Sequence, residues 1–328
     1  MRALHRSSLP QVEGRDMLTD SGLETTLIFL EGLDLPCFAA YPLLASAEGR
    51  ARLRAYFRRH LAIAAEHGTG FLLEAPTWRA SRDWGAQLGH GPEALARFNA
   101  LAIALLCDLR EEAGTVSPVV ISGNIGPRGD GYRPDTAMTA DEAQAYHAEQ
   151  IGWFAATAAD MVSAFTLSTV NEGAGVIRAA AEAGLPAAVS YTVETDGRLP
   201  DGTPLADAIE QTDMMTAGAA AYFMVNCAHP DHFRTALQTG APWLKRIGGI
   251  RANASRMSHA ELDAAEALDA GNPDELGRDY AGLRRLLPGL RVFGGCCGTD
   301  HRHVDAIAGC CLAHGTGSPA ARRATACP

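Results

Sequence analysis

The chain has 328 residues, 47% of them hydrophobic and 20% charged, with 34 glycines and 17 prolines. This is ordinary globular composition, long enough to bury a core without disulfide staples, and it excludes fibrous and intrinsically disordered classes. The formal net charge of −10 disfavours nonspecific attraction to nucleic acid or an anionic membrane, so neither is expected as a partner.

The opening residues, MRALHRSSLPQVEGRD, lack the apolar stretch of a secretory signal. No apolar run is long enough to span a bilayer. With eight cysteines and no export signal, the expectation is a cytoplasmic protein whose thiols stay reduced.

Short runs rich in Val, Ile, Leu and Phe alternate with longer alanine-rich segments of helical period. Strands are predicted at 17–20, 70–75, 118–123, 160–165, 187–193, 221–226, 247–252 and 291–295. Helices are predicted between them at 47–67, 92–113, 140–158, 172–183, 204–217, 232–239 and 273–287. A short helix is predicted over 258–268, where Ser258 stands at an N-cap position with Glu261 three residues on. A closing helix is predicted around AIAGCCLAH, with Cys310 and Cys311 packing apolar surface.

Eight strands apolar on both faces and alternating with helices describe a parallel sheet covered by helices. The count fits a closed (β/α)8 TIM barrel, a single domain over 12–312, followed by a flexible tail over 313–328. A doubly wound sheet is the rival, but DSGLETTL after the first strand carries no glycine-rich phosphate fingerprint. A barrel predicts chemistry at the C-terminal strand ends. Polar and sulfur-bearing residues gather there: Asp20, Ser21 and Gly22, Glu74, Asn124, Asn226 and Cys227, Arg251 and Asn253, and Cys296 and Cys297.

Cys227 ends the sixth strand and Cys296–Cys297 the eighth, two strands apart on one rim of a closed barrel. Three thiolates at one point repel unless a cation binds them, and soft sulfur ligands select zinc, with Zn–S bonds of about 2.3 Å. Three protein ligands leave a fourth position for a substrate, and Gly294, Gly295 and Gly298 let consecutive sulfurs converge. Three thiolates on Zn²⁺ make a poor Lewis acid for water. They suit a substrate thiolate that attacks a methyl group. Three unrelated core cysteines are the alternative. His229, His232, His301 and His303 are candidate replacement ligands, and His229 is the base that a zinc lyase or hydrolase would need.

These motifs carry a family resemblance. GGCCGT at 294–299 and VNC at 225–227, supported by TDSGLETTL, EAPTWRAS, GNIGPRGDGY and SYTVETDGRLPDGTPLADAI, resemble the zinc-dependent homocysteine S-methyltransferases, which include the betaine–homocysteine and S-methylmethionine–homocysteine enzymes. The resemblance implies a (β/α)8 barrel, Zn²⁺ on Cys227, Cys296 and Cys297, a thiol acceptor, typically homocysteine, and methionine as product. It places Asp20, Ser21 and Gly22 beside the acceptor's amino-acid end. Where the family carries a glutamate for the acceptor's ammonium, this chain has Phe165, so Asp20, Glu24 or Glu74 takes that role or the acceptor is a different thiol. Ala75-Pro76-Thr77 stands where the family has Thr-Asn-Thr.

A small onium donor, S-methylmethionine- or betaine-like, is expected, and Trp78, Trp84, Phe165 and Tyr191 are candidates for an aromatic surface around it. Arg251 is read either as a clamp for a substrate carboxylate or as a rim salt bridge to a neighbouring acid such as Glu74. Asn226 is read as orienting the Cys227 loop, and Asn253 as facing the substrate. A non-catalytic zinc- and thiol-binding barrel is the remaining alternative, and homo-oligomerisation is left open.

Overall fold

Along seven of the eight predicted strands, alternate residues belong to two different cores. Leu18, Phe71, Ile121, Val162, Val189, Phe223 and Phe293 join the large cluster beneath the helices. Met17, Leu72, Val120, Met161, Ala188, Met224 and Val292 join a separate cluster inside the sheet. Two apolar faces at period two are what a strand buried on both sides requires. The sheet closes on itself in sequence order, every neighbour parallel, which makes the chain a (β/α)8 barrel.

The computed structural model describes residues 2–133 and 137–312; the predicted tail lies outside them. In chain order the elements are β1 (Met17–Thr19), α1 (Leu23–Thr25), α2 (Ala47–Glu66), β2 (Gly70–Glu74), α3 (Arg82–Gln87), α4 (Pro92–Glu112), β3 (Val119–Ile125), α5 (Ala140–Ala155), β4 (Met161–Leu167) and α6 (Val170–Glu182). There follow β5 (Ala187–Tyr191), α7 (Leu205–Met215), β6 (Tyr222–Asn226), α8 (Pro230–Phe233), β7 (Ile247–Ala252), α9 (His259–Asp263), α10 (Pro273–Leu286), β8 (Val292–Gly295) and α11 (His301–Cys311). No helix among the described residues is long and apolar enough to cross a membrane.

The eight strands fall where predicted, within a residue or two. The helices diverge where a cap or a turn decides. The helix expected over 232–239 splits into α8, opened by Pro230, and a 3-10 turn at Thr235–Leu237. The one expected over 258–268 has the predicted Ser258/Glu261 capping box but stops at Asp263. Not anticipated were α1, which continues as a π-turn at Thr26–Leu30, α3, and 3-10 turns at Pro36–Phe38, Tyr41–Ala45 and Pro242–Arg246.

The packed unit begins before residue 12, because the N-terminal end of the barrel needs a plug. Leu9 enters the inner cluster, and Gln11 Nε2 donates to Met161 Sδ at 3.2 Å and Tyr222 Oη at 3.3 Å. Asp160 fastens this segment. Its Oδ1 accepts from the backbone N–H groups of Leu4 (2.6 Å) and His5 (2.8 Å). Its Oδ2 accepts from Ile121 N (2.9 Å) and Arg110 Nη1 (3.0 Å).

One step further along β2 to β7 the inward residues turn polar: Glu74, Ser122, Ser163, Ser190, Asn226 and Arg251 replace the apolar plug. The site stands on that layer. Asp160→Ala would leave Arg110 and three amides without their acceptor; the expected loss is about 3–5 kcal/mol of stability, read as a lower denaturant midpoint together with earlier proteolysis ahead of Gln11.

Candidate metal centre and active site

Cys227 directly follows β6 with a left-handed backbone (φ 53°). Asn226 fixes it from below: Oδ1 accepts from Thr166 N (2.9 Å) and Ser190 Oγ (2.7 Å), and Nδ2 donates to Thr166 Oγ1 (2.8 Å). One amide thus ties β4, β5 and β6 together. From above, His259 Nε2 donates to the Cys227 carbonyl at 2.6 Å, and Glu194 Oε1 lies 3.1 Å from Nδ1.

Cys296 and Cys297 follow β8. Cys296 N donates to Ala252 O (2.8 Å) and Ala254 N to Cys297 O (3.1 Å), which stitches the pair to the end of β7. Two glycines are required here. Gly298 turns the chain at φ 79°. A Cβ on Gly22 would overlap the Cys296 carbonyl.

The three sulfurs lie within 4.8 Å of one another. Cys227 and Cys297 are 4.0 Å apart, and the Cys227 and Cys296 sulfurs are in direct contact, their Cα atoms 5.5 Å apart. A tetrahedral site with metal–sulfur bonds of about 2.3 Å separates its sulfurs by roughly 3.8 Å. Only the Cys227–Cys297 separation matches that spacing; Cys227 and Cys296 are bonded to each other here, contrary to the expectation of reduced thiols, and once parted the three sulfurs are a donor set of the kind that selects a soft divalent ion such as zinc. Burial pushes the Cys297 thiol up to about 12, with the Glu24 carboxylate adding to the rise.

None of the four candidate histidines joins this cluster. His229 caps α8, accepting from Asp231 N at 3.2 Å, and groups with Asp231 and Asp279 instead. Burial lowers its pKa to about 4, and it is not placed to act as a base at the sulfurs. His232 meets the Arg256 carbonyl. His303 Nε2 meets the Ala270 carbonyl, with Asp300 at its other nitrogen. His301 opens α11 and lines a separate groove.

The sulfurs face a cavity of about 430 Å³, lined among others by Asp20, Glu24, Glu74, Trp78, Tyr132, Phe165, Arg251 and Asn253. Arg251 bridges to Asp20, not Glu74: Nη1 lies 2.9 Å from Asp20 Oδ1. Its Nε donates to Gly295 O (3.0 Å) and its Nη2 to Ser21 O (2.9 Å). Three of its five donors are engaged within the protein, an arrangement in keeping with the rim salt-bridge reading. Asp20 is equally engaged, since its Oδ2 accepts from Tyr56 Oη at 3.1 Å. Ser21 is locked by Tyr56 and by His60, whose Nε2 is 2.9 Å from Ser21 Oγ.

Besides Asp130, Asp263 and Asp269, the lining holds two glutamates. Glu24 is pushed up to about 7 by desolvation, with Asp20's like charge adding. Glu74 is 2% exposed, neither of its oxygens makes a well-formed hydrogen bond, and desolvation raises it to about 7 against the pull of Arg251 and of the neighbouring Ser122 and Ser163 hydroxyls. Asn124 Oδ1 and Asn253 Oδ1 are likewise buried acceptors without donors. The cavity therefore presents unmet acceptors to whatever fills it.

The predicted aromatic surface forms only in part. Trp78 and Phe165 line the cavity, joined by Phe29, Phe38 and Tyr132. Tyr191 lies behind the sheet, its hydroxyl 2.6 Å from Thr212 and its ring stacked on Phe223. Trp84 packs outside, donating to the Pro127 carbonyl. Sequence reasoning also missed His259, Tyr132, Thr166 and Arg79. The Ser258 capping box located the start of α9, but nothing local shows that His259 meets Cys227.

Residues 17–311 match the family described as homocysteine S-methyltransferase. The chain belongs to that family. A Bacillus subtilis relative, homocysteine S-methyltransferase YbgG, is 23% identical over 234 residues, covering 65% of this chain and 70% of the relative. The crystal structure of homocysteine methyltransferase MmuM from Escherichia coli in its metallated form superposes with a TM-score of 0.68 at 20% identity, covering 92% of this chain and 98% of that one. Its oxidised form gives the same TM-score at 21% identity, covering 89% and 94%. At these identities the two structures establish the shared fold.

The raised pKa of Glu74 has a thermodynamic sign. The folded protein holds that proton up to about 7, whereas the unfolded chain releases it near its ordinary value, so stability falls as pH rises through this window. Glu74→Gln is expected to melt close to wild type at pH 4.5 and above it at pH 7.5, by differential scanning calorimetry; parallel curves for the two proteins would contradict the assignment.

Proposed function

We propose that this protein is a zinc-dependent S-methyltransferase that moves a methyl group from a small onium donor, S-methylmethionine- or betaine-like, to the sulfur of homocysteine, giving methionine. The observation that carries this reading is the convergence of three sulfurs, from two separate rim loops, at the wall of a cavity with unmet acceptors. Cys227, Cys296 and Cys297 would hold the metal. Bound there, zinc supplies one thing: it keeps an acceptor thiol deprotonated at neutral pH and electron-rich.

The protein's own groups do the rest. Asn226 and His259 hold the Cys227 loop in place from below and above, a fixed geometry of the kind that orients ligating side chains. Glu74 lines the cavity with neither oxygen in a well-formed hydrogen bond, and we assign it the acceptor's ammonium, the ion pair Phe165 cannot make. Gly22 and Ser21, held by Arg251, Tyr56 and His60, form the wall beside the acceptor. The aromatic faces of Trp78, Tyr132 and Phe165 suit a cationic methyl donor. Transfer is a direct displacement: a sulfur lone pair forms the new S–CH₃ bond as the onium–CH₃ bond breaks, and its electron pair leaves on a neutral donor product. Holding the two substrates in line supplies much of the rate.

Phe165 and the engaged Asp20 also favour a second reading, the same transfer to a different thiol. We place the protein in the cytoplasm, where its cysteines stay reduced.

Reduced, zinc-loaded protein incubated with homocysteine and a panel of onium donors is expected to yield methionine by mass detection. Another thiol methylated in its place would select the second reading. Cys297→Ala is expected to lose both stoichiometric zinc and methyl transfer; an active variant without metal would refute the proposal.

A further inference from the structure

Arg79, five residues beyond the end of β2, also lines the cavity and is only 8% exposed. Its guanidinium carbon sits 3.8 Å from the ring centroid of Trp78 and 3.6 Å from that of Trp84. Both indoles are pinned: Trp78 Nε1 donates to the Phe165 carbonyl at 3.2 Å, and Trp84 Nε1 to the Pro127 carbonyl at 3.1 Å. The planar group is held in position before any ligand arrives.

Its donors are underused. Nη1 donates to Gly129 O at 3.3 Å, but Nε is buried and has no acceptor. Among the described residues no carboxylate forms an ion pair with it; Asp130 and Glu24 act only at longer range. The contrast with Arg251 is direct, since that guanidinium, equally buried, donates to Asp20, Ser21 and Gly295. An unpaired guanidinium nine-tenths buried is unfavourable unless a ligand completes it. Burial lowers its pKa only to about 10, so it stays cationic at neutral pH. With indoles against it, the route left to a ligand is the in-plane edge, which matches a carboxylate.

We propose that Arg79 is the anchor for a substrate carboxylate, bound through the in-plane edge of its guanidinium. This rests on the reading of the cavity as a methyl-transfer site with two small substrates. A betaine-type donor and an amino-acid acceptor each carry a carboxylate, and the experiment separates the two sources.

Full-length, reduced, zinc-loaded wild type, Arg79→Gln and Arg79→Lys are compared in two arms. The donor arm sets trimethylglycine and S-methylmethionine against their methyl esters. The acceptor arm sets homocysteine against 3-amino-1-propanethiol, its carboxylate-free counterpart. In one arm, wild-type kcat/KM is expected to fall roughly tenfold or more when the carboxylate is removed. Arg79→Gln should show no such discrimination in that arm, and Arg79→Lys should recover part of it. The arm that responds names the substrate. A merely structural role predicts equal losses for every compound; that result, or wild-type discrimination retained in Arg79→Gln, overturns the inference.

Should wild type transfer no methyl group at all, the functional reading fails, and calorimetric titration of the same compounds decides the inference alone. Tighter binding of the carboxylate forms by wild type, abolished in Arg79→Gln, supports it; equal affinities overturn it. If Arg79→Gln does not fold, the wild-type comparison of each carboxylate with its neutral counterpart decides, and no preference in either arm overturns it.

Discussion

Closure of eight parallel strands forces every inward-facing residue into shared layers, and the site depends on where those layers change character. Below, methionine, leucine and valine fill the barrel, and Leu9 and Gln11 close its floor. One step higher, Glu74, Ser122, Ser163, Ser190, Asn226 and Arg251 occupy the corresponding positions. Because side chains alternate at period two, this switch needs only a single change of residue type per strand. It converts a packed plug into a polar platform at one height around the ring.

On that platform the sulfurs converge because β6 and β8 flank β7, so residues about seventy positions apart meet at one rim. The convergence is held by ordinary contacts: Cys227 N to Arg251 O, Cys296 N to Ala252 O and Ala254 N to Cys297 O. Electrostatics then divides the charged groups into two kinds. Asp20 and Arg251 satisfy each other and build the wall. Glu74 and Arg79 are left incomplete, one an acceptor without a well-formed hydrogen bond and the other a cation without an anion. Incomplete buried polar groups are costly in an otherwise satisfied interior, and a ligand with complementary groups relieves both.

The departure at Phe165 takes its meaning from this arrangement. An apolar ring at the end of β4 cannot form an ion pair with an ammonium, yet the ring is part of the cavity and lies 5.1 Å from the Arg251 guanidinium. On the proposed reading, the charge it lacks comes from β2, through Glu74.

By itself the sequence determined the strands, the closed barrel and the three sulfurs, because these rest on local periodicity and on residue types that have few other uses in clusters. It also marked Ser258 as a cap and Asn226 as an orienting group. What only the tertiary structure decided is which polar groups are spent and which are free: Arg251 turned to Asp20 rather than Glu74, Tyr191 turned away from the cavity, His259 reached the Cys227 carbonyl, and Arg79 lay unpaired between two tryptophans. The physical reason is that a hydrogen bond or ion pair is a property of two partners and their separation. Those separations are set by strand register and loop geometry between residues far apart in the chain, which no local pattern records.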